Sequence, residues 1–254
     1  MKHYPFALQL YSVRDYCERD PESTLHRVKG AGYDYVELAG FCGLGVDLFK
    51  TMLDRAELTP VSMHAGFELV VGDTEAIVQQ ANVLGLAYVV VPWLGKEVCA
   101  TREQWVMAAE SMNAAGEMLA ESGITLCYHN HAHEFERIGS ETIFDIIFAN
   151  SDPELLKLEL DTCWSTVGGA DTVGLLRKYA GRTPLVHVKD CKPKASDGSI
   201  VFTELGNGVM DWASILPAAK AAGALWYIVE QDESEGDSLE SAAVSAAFMK
   251  AQNK

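Results

Sequence analysis

Residues 156–162 read LKLELDT, a short and mostly apolar run that ends at the carboxylate of Asp161. Seven further runs of similar length and character occur along the chain, at residues 6–13, 33–39, 59–65, 87–93, 124–130, 183–189 and 226–232. Near-continuous apolar runs are typical of strands that are buried on both faces of a parallel sheet. The sequence therefore predicts eight such strands.

The segments between these runs have helical periodicity. Residues 74–85 and 101–123 repeat apolar side chains at helical spacing, and the second segment begins with Thr101 and Gln104 in the spacing of a capping box. Eight strands that alternate with about eight helices predict an α/β fold of the (β/α)8 barrel type, and we assign residues 1–254 to one domain. A doubly wound open sheet is the alternative, but no glycine-rich turn follows the first run.

The charge balance limits the partners that we expect. The 254 residues include 20 Lys and Arg against 36 Asp and Glu, a net charge of −16, and 48% of them are hydrophobic. Such a charge repels nucleic acids and anionic membranes, so we expect neither as a partner. The chain shows no membrane-length apolar run and no signal-peptide core at its start, so we expect a cytoplasmic protein. The six scattered cysteines are typical of reduced thiols.

Polar side chains close most of the apolar runs, where a (β/α)8 barrel carries its chemistry. These positions hold Gln9, Tyr11, Glu37, His64, Trp93, His129, His131, Asp161, His187, Lys189 and Glu230. A charge within an apolar run is costly unless it is paired or bound to a metal. Carboxylates and imidazoles without a thiolate pair suit a divalent ion, and we prefer Mn over Zn, Co, Fe or Mg. As an alternative, a single strand histidine can be a core residue, and Asp161 can cap the following helix.

Five segments resemble the sugar-phosphate isomerase/epimerase group of the xylose-isomerase-like TIM barrels: YHNHAHEFE (128–136), DPELLKLELDTCW (152–164), PLVHVKD (184–190), GNGVMDW (206–212) and IVEQD (228–232). The resemblance implies a divalent metal held by Glu, Asp, His and Glu, and Asp161, His187 and Glu230 match the last three positions. The first metal-ligand position departs from the pattern, because the nearest equivalent of its Glu in this sequence is His129. We prefer Glu134 as the fourth ligand; the alternatives in the same stretch are His129, His131 and Glu136.

The resemblance further implies an isomerase or epimerase that acts on a sugar, a sugar phosphate or a keto-polyol through an enediolate held by the metal. In this interpretation Glu230 is both a ligand and the base on one side of the substrate. The second proton-transfer group is His64, His131 or Glu37, and Lys189 stabilises the enediolate oxygen. The expected substrate-binding residues are Gln9, Tyr11, Glu37, Trp93, His129 and Trp164.

Two other functions are compatible with the same residues. β-Elimination on the same barrel and metal would make the protein a lyase or dehydratase acting on a 3-keto-glycoside or an inositol ketone. A non-catalytic sugar-binding barrel is the third alternative, whereas a DNA endonuclease conflicts with the net charge of −16. The expected partner is a small-molecule carbohydrate, and a homo-oligomer is compatible with the sequence.

Two loop segments bear on whether the substrate is charged. Gly206 and Gly208 could offer backbone N–H groups to a phosphate, but a tight turn before a helix capped by Asp211 is the preferred interpretation. Lys192 and Lys194 are expected near the barrel mouth, where they could meet an acidic substrate group.

Overall fold

Eight parallel strands form one closed barrel in the computed structural model, which describes residues 3–95, 98–193 and 199–254. The strands are β1 (Phe6–Gln9), β2 (Tyr35–Leu38), β3 (Thr59–His64), β4 (Tyr88–Val91), β5 (Thr125–His129), β6 (Leu156–Asp161), β7 (Leu185–Val188) and β8 (Trp226–Val229). Each strand pairs with its neighbour in the chain, and β8 closes the ring against β1. The predicted (β/α)8 barrel is confirmed, and every barrel strand falls within a predicted run.

Eleven α-helices accompany the barrel in these described ranges. They are α1 (Arg14–Cys17), α2 (Pro21–Ala31), α3 (Val46–Arg55), α4 (Phe67–Gly72), α5 (Thr74–Leu84), α6 (Arg102–Glu121), α7 (Ile143–Ala149), α8 (Thr162–Val167), α9 (Thr172–Lys178), α10 (Trp212–Ala222) and α11 (Ser238–Gln252). The strict alternation that we predicted is broken, because loops after several strands fold into short extra helices. None of the described helices is long and apolar enough to cross a membrane.

Smaller elements occupy the loops at the carboxyl ends of the strands. A 3-10 turn follows β1 at Leu10–Val13, and another follows β5 at His133–Phe135. Two short antiparallel strand pairs lie after β5 and after β7. Lys194 lies outside the described residues, and the assignment of residues 1–254 to one domain stays a prediction.

The helix boundaries follow the capping chemistry of the sequence. Thr101 and Gln104 form the predicted capping box at the start of α6, where each side chain accepts a hydrogen bond from the other residue's backbone N–H. Gly32 and Gly223 end α2 and α10 at φ angles of 104° and 96°, a left-handed conformation that costs glycine little. These helices therefore stop just before the next barrel strand begins.

The register of the strands brings polar residues to the same level of the barrel. His129 on β5 lies beside Glu159 on β6, and Asp161 on β6 lies beside His187 on β7. Because side chains alternate along a strand, Glu159 and Asp161 share one face of β6. All four side chains are buried. The barrel interior therefore holds a cluster of titratable groups near the carboxyl ends of its strands.

Gly116 on α6 packs closely against the residue that precedes β6. A Cβ atom at Gly116 would lie 2.3 Å from the backbone oxygen of Leu155, whereas a Cβ at Gly30 on α2 would meet nothing within 4 Å. We expect Gly116→Ala to destabilise the protein by about 1–3 kcal/mol, because packed backbone must shift. We expect Gly30→Ala to stabilise it by up to about 1 kcal/mol through helix propensity. Denaturant unfolding of both variants tests the pair, and equal effects would contradict the close contact.

Candidate active site

A cavity of about 540 Å³ opens at the carboxyl ends of the barrel strands. Its lining residues are Tyr11, Arg14, Ala39, Gly40, His64, Pro92, Trp93, His129, His131, Glu230, Asp232 and Glu233. This end of a (β/α)8 barrel is where active sites form. Six of the predicted site residues line the cavity: Tyr11, His64, Trp93, His129, His131 and Glu230.

Four buried side chains beside this cavity form a donor group, with atoms that all lie within 4.8 Å of one another: His129, Asp161, His187 and Glu230. The structure thus brings together the three predicted ligands from β6, β7 and the residue after β8. His187 Nδ1 lies 2.9 Å from Glu230 Oε2, and His129 Nε2 lies 4.0 Å from Asp161 Oδ2. Two imidazoles and two carboxylates suit Mn, Co, Fe or Zn. The donor set therefore fits a divalent metal ion.

Asp161 uses its two carboxylate oxygens differently. Oδ1 accepts a hydrogen bond of 2.7 Å from the backbone N–H of Trp164, so Asp161 does cap α8. Oδ2 lies on the side of the donor group, 3.0 Å from Lys189 Nζ. The Asn130 side chain accepts a hydrogen bond of 3.0 Å from the backbone N–H of Asp161 and anchors the strand end. Asp161 therefore caps α8 and belongs to the donor group at the same time.

Glu159 is a site residue that the sequence analysis missed. Its Oε2 lies 3.1 Å from His64 Nε2, 3.1 Å from His187 Nε2 and 3.3 Å from His129 Nδ1. Glu159 therefore contacts Nδ1 of His129 and Nε2 of His187. The other ring nitrogens, Nε2 of His129 and Nδ1 of His187, face the carboxylates of the donor group. Burial, together with neighbouring imidazoles and Lys189, holds the pKa of His129 well below its ordinary value, which favours the neutral ring that a metal needs. The sequence did contain a signal for Glu159, because it lies two residues before Asp161 on β6 and therefore on the same face of the strand.

Glu37 lies deeper in the barrel, among polar side chains. It accepts hydrogen bonds from Gln9 Nε2 at 2.8 Å and Ser62 Oγ at 2.5 Å, and it lies 2.7 Å from His187 Nε2. Burial opposes protonation of His64, but Glu37 and Glu159 raise the pKa of His64 to about 9. Neither Gln9 nor Glu37 lines the cavity. Both were predicted to bind substrate, and the structure places their side chains, which are hydrogen-bonded to each other, in the barrel interior below the cavity.

Lys189 is completely buried and pairs with three carboxylates. Its Nζ lies 3.0 Å from Asp161 Oδ2, 2.7 Å from Glu230 Oε2 and 2.8 Å from Asp232 Oδ1. The predicted role, contact with an enediolate oxygen, does not fit this position, because Lys189 is enclosed by its partners and does not line the cavity. Asp232 was not predicted as a site residue, and burial raises its pKa to about 6. The structure makes Lys189 a counter-charge for the acidic side of the site.

His131 lines the cavity between two tryptophans. Its ring centre lies 4.8 Å from that of Trp93 and 5.5 Å from that of Trp164. The buried Nδ1 atom has no hydrogen-bond partner among the described residues. Burial and the charge of Lys189 lower the pKa of His131 to about 3. Trp164 was predicted to bind substrate; it stands behind His131 rather than in the cavity wall.

Glu134, the preferred fourth ligand of the sequence analysis, lies outside the donor group. Its carboxylate accepts hydrogen bonds of 2.8 Å from the Tyr128 hydroxyl and 2.8 Å from the His131 backbone N–H. The 3-10 turn at His133–Phe135 folds this side chain back onto the end of β5, which is why it does not reach Asp161. His129, one of the alternatives that the sequence left open, is the residue of this stretch that lies in the donor group.

Together, the closed barrel and the titratable cavity at its carboxyl rim define an enzyme-type TIM barrel. A sequence model of the xylose isomerase-like TIM barrel family matches residues 25–252, and the chain belongs to that family. A solved sugar phosphate isomerase/epimerase from Parabacteroides distasonis is 25% identical with a TM-score of 0.84, over 100% of this chain and 96% of that chain.

Two further similar proteins are an inosose dehydratase and the IolI protein. An inosose dehydratase from Geobacillus thermodenitrificans is 28% identical over 156 residues, which cover 56% of this chain and 52% of that protein. The chain thus spans about half the length of the curated relatives it matches. The IolI protein, solved with a bound zinc atom, has a TM-score of 0.76 at 15% identity over 98% of this chain and 99% of that chain. At that identity the similarity to IolI concerns the fold.

Proposed function

We propose that this protein is a divalent-metal-dependent lyase or dehydratase that acts on an inositol ketone or a 3-keto-glycoside. It removes a proton from the carbon next to the ketone and expels the oxygen substituent of the β-carbon. The observation that carries this proposal is the convergence of His129, Asp161, His187 and Glu230 within 4.8 Å, beside a cavity that Glu230 lines. The similarity to inosose dehydratases supports elimination, which we place first here, whereas the sequence analysis placed isomerisation first.

The metal would be held by the four side chains of the donor group. When bound, it supplies a Lewis acid that polarises the substrate ketone and makes the neighbouring C–H bond more acidic. The zinc atom bound to IolI supports a divalent ion in this fold. Mn remains our preference from the sequence, and Zn, Co, Fe and Mg are the ions to compare with it.

Glu230 is the base in this mechanism. Its carboxylate lines the cavity, and His187 Nδ1 at 2.9 Å and Lys189 Nζ at 2.7 Å fix its orientation. The C–H proton passes to Glu230, and the electron pair of that bond forms a C=C double bond conjugated with the ketone. The C–O bond at the β-carbon breaks with its electron pair, so the leaving group needs a proton.

His64 is the proton donor that we assign to the leaving oxygen, with His131 as the alternative, because Glu37 and Glu159 raise the pKa of His64 to about 9, whereas burial lowers the pKa of His131 to about 3. Both rings line the cavity, and Glu134 fixes His131 through its backbone N–H. His64 is held through Nε2 by Glu37 at 3.0 Å and by Glu159 at 3.1 Å. Transfer of the proton releases water from an inositol ketone, or the free sugar or alcohol from a 3-keto-glycoside. We assign Glu159 a positioning role, because its Oε2 lies 3.3 Å from His129 Nδ1 and 3.1 Å from His187 Nε2.

Metal dependence is the first expected result. The described residues form two overlapping donor groups, because His64 and Glu159 also form one with His129 and His187. Since the two groups share both of these histidines, we expect the protein purified without chelator to contain about one divalent ion per chain. Removal of the ion should abolish turnover and lower the melting temperature, and restoring it should reverse both changes. Elemental analysis and thermal unfolding measure these effects. A metal-free protein that still binds sugars would support the non-catalytic alternative.

Isomerisation or epimerisation is the second candidate, favoured by the similarity to the Parabacteroides distasonis protein over the full chain. The two reactions share the first proton transfer and differ in the fate of the β-oxygen. In D₂O, elimination yields a product that lacks one water or one glycosyl group, whereas isomerisation yields a product that gains deuterium without losing either. Mass spectrometry of inositol ketones, 3-keto-glycosides and ketoses incubated with the metal-loaded protein decides between them.

A further inference from the structure

We infer that the substrate of this site carries no phosphate group, because the chain fills the anion-binding position of the loop after β7 with its own carboxylate, that of Asp190. The inference that the substrate is a carbohydrate rests on the proposed function. The statement about the loop rests on its geometry alone.

Asp190 is completely buried and accepts hydrogen bonds from five donors. Four are backbone N–H groups and one is an indole N–H: Cys191 at 2.9 Å, Gly206 at 2.9 Å, Gly208 at 3.3 Å, Met210 at 3.2 Å and Trp212 Nε1 at 2.9 Å. Converging backbone N–H groups of this kind form an anion-binding concavity. In this chain the anion is an internal side chain.

The concavity around Asp190 lies in the loop after β7, where a substrate phosphate would be expected to bind. (β/α)8 barrels that bind phosphate use the loops after the seventh and eighth strands. The glycine N–H groups that the sequence offered for a phosphate both donate to Asp190 Oδ2. At Gly208 even a Cβ atom would lie 2.1 Å from Asp190 Oδ1, so the space beside the carboxylate is full. A phosphate would have to displace a buried carboxylate that already uses these donors.

The charges at the cavity also oppose an anionic substrate. Glu230, Asp232 and Glu233 line the cavity, and Arg14 is the one arginine or lysine among its described lining residues. The Arg14 guanidinium donates to the backbone oxygens of Tyr11 at 3.0 Å and Asp232 at 2.6 Å, and it stacks on the Tyr11 ring at 4.0 Å. Lys192, expected near the mouth, pairs with Glu235. A phosphate, with nearly two negative charges, would meet more carboxylates than cations here.

Aromatic side chains at the mouth fit a neutral polyol or glycoside. Tyr11 and Trp93 are 43% and 47% exposed, and both line the cavity. Exposed aromatic rings beside a polar cavity can pack against the apolar C–H faces of sugars, while hydroxyl groups bond to the polar walls. The substrate class that fits this cavity is therefore an uncharged keto-polyol or keto-glycoside.

Binding of inorganic phosphate tests the loop without any assumption about catalysis. We expect wild-type protein to leave the ³¹P line width and its own melting temperature unchanged at millimolar phosphate, relative to chloride at equal ionic strength. Asp190→Gly frees the five donors, and we expect phosphate to raise the melting temperature of this variant and broaden the ³¹P line. Asp190→Ser is the second variant if Asp190→Gly does not fold. Wild-type binding tighter than about 1 mM would overturn the inference, as would variants that fold and ignore phosphate.

Paired substrates test the class itself. For an inositol ketone and its phosphate monoester, we expect kcat/KM of the metal-loaded protein to be at least about tenfold lower for the ester. Equal or faster turnover of the ester would overturn the inference. If neither compound reacts and a 3-keto-glycoside does not react either, the proposed function fails, while the phosphate-binding result still decides whether the loop binds phosphate.

Discussion

Replacing Glu230 with Gln is expected to lower kcat/KM by about 10²- to 10⁴-fold, the range typical of a lost general base. The amide keeps the shape of the side chain but cannot accept the substrate proton. It also removes the negative charge that His187 and Lys189 face at 2.9 Å and 2.7 Å. Activity should be measured at saturating metal, so that weaker metal binding does not imitate a loss of the base.

Glu235→Gln is the matched control for this variant. Glu235 lies on the same loop after β8, is exposed, and pairs with Lys192 outside the cavity lining. We expect it to retain wild-type kcat/KM, and both variants should keep the wild-type circular dichroism spectrum. A Glu230→Gln enzyme with near wild-type turnover would remove Glu230 from the mechanism.

Glu159→Gln is expected to weaken metal binding by about 10- to 100-fold, the usual cost of losing an outer-sphere partner of a ligating histidine. Glu159 Oε2 faces the ring nitrogens of His129 and His187 that point away from the donor group. An amide offers hydrogen atoms as well as an oxygen, so it no longer fixes both rings in the required tautomer. Competition of Co²⁺ with a chromophoric chelator measures the dissociation constant directly.

A second measurement separates orientation from a general loss of stability. In the Co²⁺-loaded protein, the exchangeable N–H protons of the two ligating imidazoles should give shifted NMR signals, and Glu159→Gln should move or remove them. Glu134→Gln is the matched control, because Glu134 is equally buried but lies outside the donor group. If Glu134→Gln weakens binding and Glu159→Gln does not, Glu134 is the ligand and our assignment of His129 is wrong.

The barrel could be predicted from the sequence because its strands are buried on both faces and are punctuated by glycines. Each strand therefore appears as a separate apolar run, and the order of the runs sets the order of the strands. The grouping of Asp161, His187 and Glu230 followed from the same argument, since the carboxyl ends of parallel strands meet at one rim.

The direction and depth of individual side chains could not be predicted. Gln9 and Glu37 close their runs as Tyr11 does, but they point inward beneath the cavity, and only the closed barrel reveals this layer. Glu134 is five residues from His129, and the 3-10 turn between β5 and α7 decides which of the two reaches the donor group. Glu159 could have been recognised as a site residue, because it lies two residues before Asp161 and on the same face of β6.

The four donor residues all come from the second half of the barrel, β5 to β8 and the residue after it. Most of the remaining lining residues, among them Tyr11, Arg14, His64 and Trp93, come from the first half. Under the proposed function, changes in the first four connecting loops would therefore alter substrate preference and leave the donor group unchanged. Grafting those loops from a relative would then test whether the proposed substrate range can be changed without altering the four donor residues.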